Sequence, residues 1–204
     1  MMSAPPSKMP LIALVGVDGS GKSSVIQALQ AELQAENIPV HVLHGNNLLP
    51  KNGPITNHQH PPRPFFSSCL KMLYRALRWL GHYYLHLRPR MNSGVLLLSD
   101  RHYFDDVAID PRKYRYGGPH ALVNRLRCRL PRPDLFIFLD ATPEVLLSRK
   151  QEIPLDEVVR LRAAYQSMLA CQPNTRQVDA SAPLPQVLAE VRAVIQPYLP
   201  AGQS

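Results

Sequence analysis

The chain has 204 residues, 45% of them apolar and 7% aromatic, and carries a formal net charge of +8. That length suits one α/β domain with a sizeable core, since single domains of about 100–200 residues are usual. No apolar run approaches the ~20 residues that a membrane-spanning helix needs, so no span is expected. Cys69, Cys128 and Cys171 are scattered and odd in number, and none has a metal-ligand spacing. They point to free thiols in a reducing cytoplasm rather than to a disulfide framework. The positive charge suits an anionic ligand such as a nucleotide, but also nucleic acid or an acidic membrane surface.

Residues 1–10 lack an apolar h-region and are expected to form a short disordered lead-in with no secretory signal. No repeat and no linker interrupts 11–199, which reads as a single domain. Leu11 to Val15 is a short apolar strand, followed by a glycine-rich turn and a helix from Ser24 to Asn37 with Val25, Ile26, Leu29 and Leu33 on one side. Val40 to His44 is a second strand. Leu48 to Pro64, rich in Pro, Asn and His, reads as a surface loop; His58 and His60 lie in it without a nearby carboxylate or cysteine, a poor metal site. Phe66 to Arg90 reads as a long helix whose Leu70, Leu73, Leu77, Leu80, Tyr84 and Leu87 recur at steps of three and four and are expected to face the core. On another face stand Lys71, Arg75, Arg78, His82 and His86, placed either to grip an acceptor phosphate or to face water.

Gly94 to Ser99 is the third strand and His120 to Arg129 a helix; Arg125, Arg127, Arg129 and Arg132 read as a solvated basic face. Leu135 to Leu139 is the fourth strand. Pro143 to Lys150 is a helix opened by Thr142 as N-cap with proline at its first position. Leu155 to Cys171, the strand Arg176 to Val178 and a closing helix from Leu184 to Tyr198 complete the chain. Apolar strands alternating with helical periods imply an α/β fold, a parallel sheet covered on both faces.

Chemistry enters with Gly16-Val17-Asp18-Gly19-Ser20-Gly21-Lys22-Ser23, which matches G-x-x-x-x-G-K-[ST] and sits between a strand and a helix. Glycines allow a turn in which successive N–H groups aim at one anion, and the helix N-terminus adds partial positive charge. Gly16, Asp18, Gly19, Ser20, Gly21, Lys22, Ser23 and Ser24 are therefore the expected seat of nucleoside triphosphate, with Lys22 on the β- and γ-phosphates and the Ser23 hydroxyl on Mg²⁺. Two strands end in aspartate, at Asp100 and at Asp140. Asp100 is preferred as the second Mg²⁺-handling group because Arg101 beside it offers a planar donor fork for phosphate; Asp140 more simply ends a strand before a capped helix.

The phosphate loop with Asp100-Arg101-His102-Tyr103, then Arg132-Pro133-Asp134-Leu135 through Leu139-Asp140-Ala141-Thr142-Pro143-Glu144 and Leu147-Ser148-Arg149, resembles the thymidylate kinases along nearly the whole chain. Val178-Asp179-Ala180-Ser181 is similar to that family's last strand and adenine-side loop. The resemblance implies a P-loop NTPase fold with a five-stranded parallel sheet, and Mg²⁺-dependent transfer of the ATP γ-phosphoryl to a nucleoside monophosphate. It implies that Asp18 contacts the acceptor sugar, that Arg101 binds the acceptor phosphate, and that a short lid around 149–156 supplies further charge. Arg149 is the expected lid arginine, with Arg160 or Arg162 as substitutes. Tyr74 and Arg78 have the four-residue spacing of the family's base-stacking aromatic and its arginine. The resemblance also suggests a homodimer, with the long helix as the candidate interface.

The chain departs from the family on the acceptor side. His44-Gly45-Asn46-Asn47 stands where the family has an arginine-containing segment, and Phe104-Asp105-Asp106 with Asp110-Pro111-Arg112-Lys113-Tyr114-Arg115 replaces its base-reading residues. Arg112 is an added acceptor candidate, with Asp105, Asp106, Lys113 and Arg115. Lys22, Asp100, Arg101 and Arg149 are thus the expected reaction machinery, and a nucleoside monophosphate is the expected acceptor. A different small acceptor is the alternative, and a non-kinase nucleotide-binding protein using its arginines on nucleic acid is the less favoured one.

Overall fold

Leu11 to Val15 is buried at every position, as a central strand covered on both faces must be. It is β1, and with β2 (Val40–His44), β3 (Leu96–Asp100), β4 (Leu135–Asp140) and β5 (Thr175–Asp179) it forms, in this computed structural model, one five-stranded parallel sheet in the order β2-β3-β1-β4-β5. The structure describes residues 8–44, 61–101, 105–150, 154–170 and 172–200. Residues 1–7 of the expected lead-in, most of the 48–64 loop with His58 and His60, the segment 45–47, His102 to Phe104, part of the lid and Cys171 lie outside the described residues. Within them the chain is already tied to the fold at Met9, which is buried and donates its N–H to Met91 O at 2.9 Å.

The helices are α1 (Lys22–Ala35), α2 (Phe65–His82), α3 (Arg88–Asn92), α4 (Asp105–Ile109), α5 (His120–Arg129), α6 (Pro143–Arg149), α7 (Leu155–Ala170) and α8 (Leu184–Ile195). Residue alternation along the strands divides the core. Leu96 and Leu98 point into the cluster with Val25, Leu29 and Leu33 of α1 and Val187 and Val191 of α8. Leu97 and Leu11 point the other way, against Met72 and Trp79 of α2, Met91 of α3 and Val123 of α5. The end of α1 follows from sequence: Asn37 adopts φ 59, and the N–H groups of Asn37 and Ile38 bond Gln34 O and Leu33 O. That is the left-handed cap in which asparagine is among the few residues tolerated.

The long helix differs from expectation. It runs from Phe65 to Asn92, but Tyr83–Leu87 forms a π-helical turn between α2 and α3. Pro89 has no N–H to bond the Leu85 carbonyl, so a widened turn just before it relieves the ladder. The side facing the sheet carries Ser68, Met72, Arg75, Ala76 and Trp79, then Leu87 and Met91 after the wide turn. Leu70, Leu73, Leu77 and Tyr84, expected in the core, are instead exposed, at 69%, 50%, 62% and 50%. Both faces carry apolar residues at helical spacing, and spacing does not say which face turns inward.

Candidate active site

The phosphate loop is shaped by close packing before any ligand is considered. Ser20 N–H bonds Val17 O at 3.1 Å, and Val25 N–H bonds Gly21 O at 3.0 Å, closing the first turn of α1. Gly19 sits at φ 93, and a Cβ there would stand 2.8 Å from Leu146 O, so α6 packs directly onto the loop. Lys22 is buried and folds back across it, its Nζ donating to Gly16 O and Val17 O at 2.9 Å each and to Ser20 Oγ at 3.3 Å. The ammonium is thereby held over the concave side of the loop, where an arriving phosphate competes with neutral carbonyls for it. Ser23 and Ser24 stand exposed in the first turn of α1.

Sheet order brings the second half of the site alongside. Asp100 pairs with Leu14 across β3 and β1, and Arg101 N–H extends that ladder to Leu14 O at 3.1 Å. Arg101 takes φ 85, a left-handed conformation unfavourable for a residue with a side chain, and Ser99 Oγ donates to its carbonyl at 2.6 Å. Such strain is concentrated at functional sites, where surrounding contacts hold it. In this geometry the Arg101 guanidinium donates to Asp18 Oδ1 in the phosphate loop, and Lys113 Nζ lies 3.8 Å from Asp18 Oδ2. Burial alone would push the Asp18 carboxyl up, but Arg101, Lys22, Lys113 and Lys150 together outweigh it and hold it below its ordinary value. Asp18, Arg101 and Lys113 border an open cleft that Tyr114 and Tyr165 wall.

The two candidate aspartates differ sharply. Asp140 is buried and committed: Arg162 clamps it in a fork, Nε to Oδ1 at 2.7 Å and an Nη to Oδ2 at 2.8 Å, and Gln177 adds a bond of 3.1 Å. Asp100 Oδ1 is buried with no hydrogen-bond partner among the described residues. An unpaired buried carboxylate oxygen is costly, and a cation or ordered water supplies the missing partner. Both Asp100 and Ser23 offer oxygen atoms, the donor type that Mg²⁺ prefers.

The remaining expected residues spread out. Arg149 donates to Ala180 O at 2.7 Å and to Ser181 O at 3.4 Å, joining the end of α6 to the loop after β5. Arg160 is held by Glu157 at 2.5 and 2.8 Å, with Asp110 at 3.6 Å. Tyr74 and Arg78 meet each other on α2, the guanidinium 5.8 Å from the ring centroid, and neither lines the cleft. The residues of α2 that turn toward the site side are Lys71 and Arg75; Arg75 lies over the Tyr114 ring at 5.3 Å. Arg112 is exposed, whereas its neighbour Lys113 enters the cleft. Sequence reasoning had grouped Lys113 with the acceptor side but did not single out Arg63 and Tyr114, which come from segments without periodicity, or Tyr165, which lies on the buried side of α7.

Comparison with known proteins agrees with this arrangement. A family model described as "Thymidylate kinase" matches residues 14–191. A "Probable thymidylate kinase" of Archaeoglobus fulgidus is 29% identical over 197 residues, covering 93% of this chain and 96% of the relative. A "Thymidylate kinase" of Francisella philomiragia is 26% identical over 211 residues, covering 92% and 98%. One of Symbiobacterium thermophilum is 26% identical over 206 residues, covering 93% and 94%.

Proposed function

Because the chain belongs to the thymidylate kinase family, we propose that it transfers the γ-phosphoryl group of ATP to a nucleoside monophosphate, with dTMP as the reference acceptor. The observation that carries this reading is the meeting of the phosphate loop with Arg101 through Asp18 at the carboxyl ends of adjacent strands. That edge of a parallel sheet is where ligands of open α/β folds bind.

An oxygen of the acceptor phosphate attacks the γ-phosphorus while the bond from that phosphorus to the β,γ-bridging oxygen breaks, and ADP leaves with the electron pair. The protein's work is positioning and charge stabilisation. Lys22 leaves its loop carbonyls to hold the β- and γ-phosphates. Arg101, steered by Asp18, neutralises charge between donor and acceptor, and Lys113 adds a second cation on the acceptor side. Arg149 is the lid arginine of this reading: it is held by carbonyl oxygens, whereas Arg160 and Arg162 are held by carboxylates, so a phosphoryl group competes for it more readily. Ser23 and Asp100 would hold Mg²⁺ directly or through water, and the ion would supply positive charge against the phosphates of the donor nucleotide.

The exposed apolar face of α2 supports a homodimer. Phe66, Leu70, Leu73 and Leu77 share one side of that helix, with Phe66 84% exposed. A run of large apolar side chains left to water on a core helix marks an association surface. Cys69 and Cys128 as free thiols support a cytoplasmic setting, and no described helix is long and apolar enough to cross a membrane. The activity is tested by coupled measurement of ADP release from ATP with and without dTMP; release that requires the acceptor supports the reading, and acceptor-independent hydrolysis refutes it.

A further inference from the structure

Beside the cleft lies a second pocket, and its lining is unusual for a site that would hold a neutral base. Four cationic side chains, Arg63, Lys71, Arg75 and Arg115, line it, and no acidic residue is among its described lining residues. Tyr114 walls both this pocket and the cleft that contains Asp18, Arg101 and Lys113. The two are therefore neighbouring compartments, one at the phosphate loop and one across the Tyr114 ring.

The pocket is built rather than incidental. Arg63 N–H bonds Arg115 O at 3.0 Å, Arg115 Nε donates to Pro61 O at 3.0 Å, and Gly117 N–H donates to Ser68 Oγ at 3.0 Å. Ser68 Oγ in turn donates to Arg63 O at 3.3 Å. A Cβ on Gly117 would stand 2.2 Å from Arg63 O, so only glycine lets the two segments clasp this closely. The clasp holds Arg63 and Arg115 against α2, where Lys71 and Arg75 follow one another by a helical turn. Arg63 Nε is buried with no hydrogen-bond partner among the described residues. Burial, and then the charges of Arg63, Arg75 and Arg115, hold the Lys71 ammonium below its ordinary value. Like charges gathered at a partly dry site raise the free energy of the empty pocket, and an anion relieves it.

We propose that this pocket binds an oxyanion carried on the base of the acceptor nucleotide, so that the preferred acceptor is a nucleoside monophosphate with a second anionic group far from its 5′-phosphate. The proposal rests on the kinase reading and narrows it. With the acceptor phosphate against Arg101 and Lys113 in the first compartment, a base carried past Tyr114 enters the second. A carboxylate there meets Lys71, Arg63 and Arg115, whereas the 5-methyl of thymine at the same place offers those cations no counter-charge. Charged donors left unpaired give strong discrimination between otherwise similar ligands.

The test compares acceptors that differ by one carboxylate in ADP-release kinetics: dTMP against 5-carboxy-2′-deoxyuridine 5′-monophosphate, and UMP against orotidine 5′-monophosphate. Wild-type protein is expected to favour at least one carboxylated nucleotide over its neutral counterpart by tenfold or more in kcat/KM. Lys71→Met and Arg63→Met, each checked by thermal melting, are expected to lower that ratio at least tenfold. Neutral nucleotides preferred in both pairs, or a preference unchanged in both folded variants, would overturn the proposal. Stimulation of dTMP turnover by added inorganic phosphate, without preference for carboxylate, would assign the pocket to a free anion and also overturn it. If no nucleotide is turned over, the kinase reading fails on its own, and calorimetric binding of the same pairs decides the pocket: tighter binding of a carboxylated nucleotide, weakened in Lys71→Met, supports the proposal, and equal binding overturns it.

Discussion

At the scale of single residues the site is a set of charges held close by short backbone segments. Lys22 is the cation most directly tied to the phosphate loop, its Nζ held by Gly16 O and Val17 O. Lys22→Ala is expected to lower the rate of ADP release by about 10²–10³, the cost of losing one positioned charge-stabilising donor. Its melting temperature should change little, because the carbonyls that Lys22 occupies border an open cleft and can take water. Asp18 supplies a pH-dependent check. Its carboxyl is held below the ordinary value of 3.8, so the charged form stabilises the fold above that pH, and the contribution is lost as pH falls through the lowered value. The stability advantage of wild type over Asp18→Asn should therefore be full at pH 7 and shrink toward zero on acidification below about 4, as followed by thermal melts; an advantage that grows in acid would contradict the assigned pairing.

Among the elements, the long helix and its neighbours divide what was legible from what was not. The phosphate loop was readable because its chemistry requires contiguous residues, from Gly16 to Ser23, between a strand and a helix. Strand edges were readable because buried runs such as Leu135 to Leu139 are bounded by polar or turn residues. Asp100 could be preferred over Asp140 because Arg101 follows it, and the Arg162 clamp on Asp140 fits that preference. The phase of α2 was not readable: Leu70, Leu73 and Leu77 have the same spacing as Met72, Ala76 and Trp79, and only contact with Leu11 and Leu97 of the sheet decides between them. The second pocket was hidden for another reason. Its walls join Arg63, Lys71 and Arg115, residues brought together by a clasp of loops that carries no repeat. The outward face of α2 leads to its own prediction. If it is the dimer interface, wild-type protein sediments as a dimer and Leu70→Glu with Leu77→Glu sediments as a folded monomer, since two buried carboxylates cannot be accommodated in an apolar contact. A wild-type monomer at tens of micromolar would remove the interface.

For the whole molecule, sheet order is what makes the chemistry available. Placing β3 and β4 on either side of β1 brings Asp100 and Asp140 to the same edge as the phosphate loop, and the surrounding side chains then give them different work. Asp140 is bound up by α7 and β5, fastening the lid side of the domain; Asp100 keeps a buried oxygen without a hydrogen-bond partner among the described residues. Arg101 and Lys113 line one pocket and Lys71 and Arg115 its neighbour across Tyr114, so the field on that side of the loop is positive and favours an anionic acceptor there. In the proposed reading, charge on this scale draws the two substrates in, and Arg101 positions them. Direct transfer of label from γ-³²P-ATP to dTMP, with both products resolved by chromatography, tests that claim most plainly. The account predicts labelled dTDP and unlabelled ADP in equal amounts, both formed about 10²–10³-fold more slowly by Lys22→Ala. Release of labelled inorganic phosphate at a rate indifferent to any nucleoside monophosphate would contradict it.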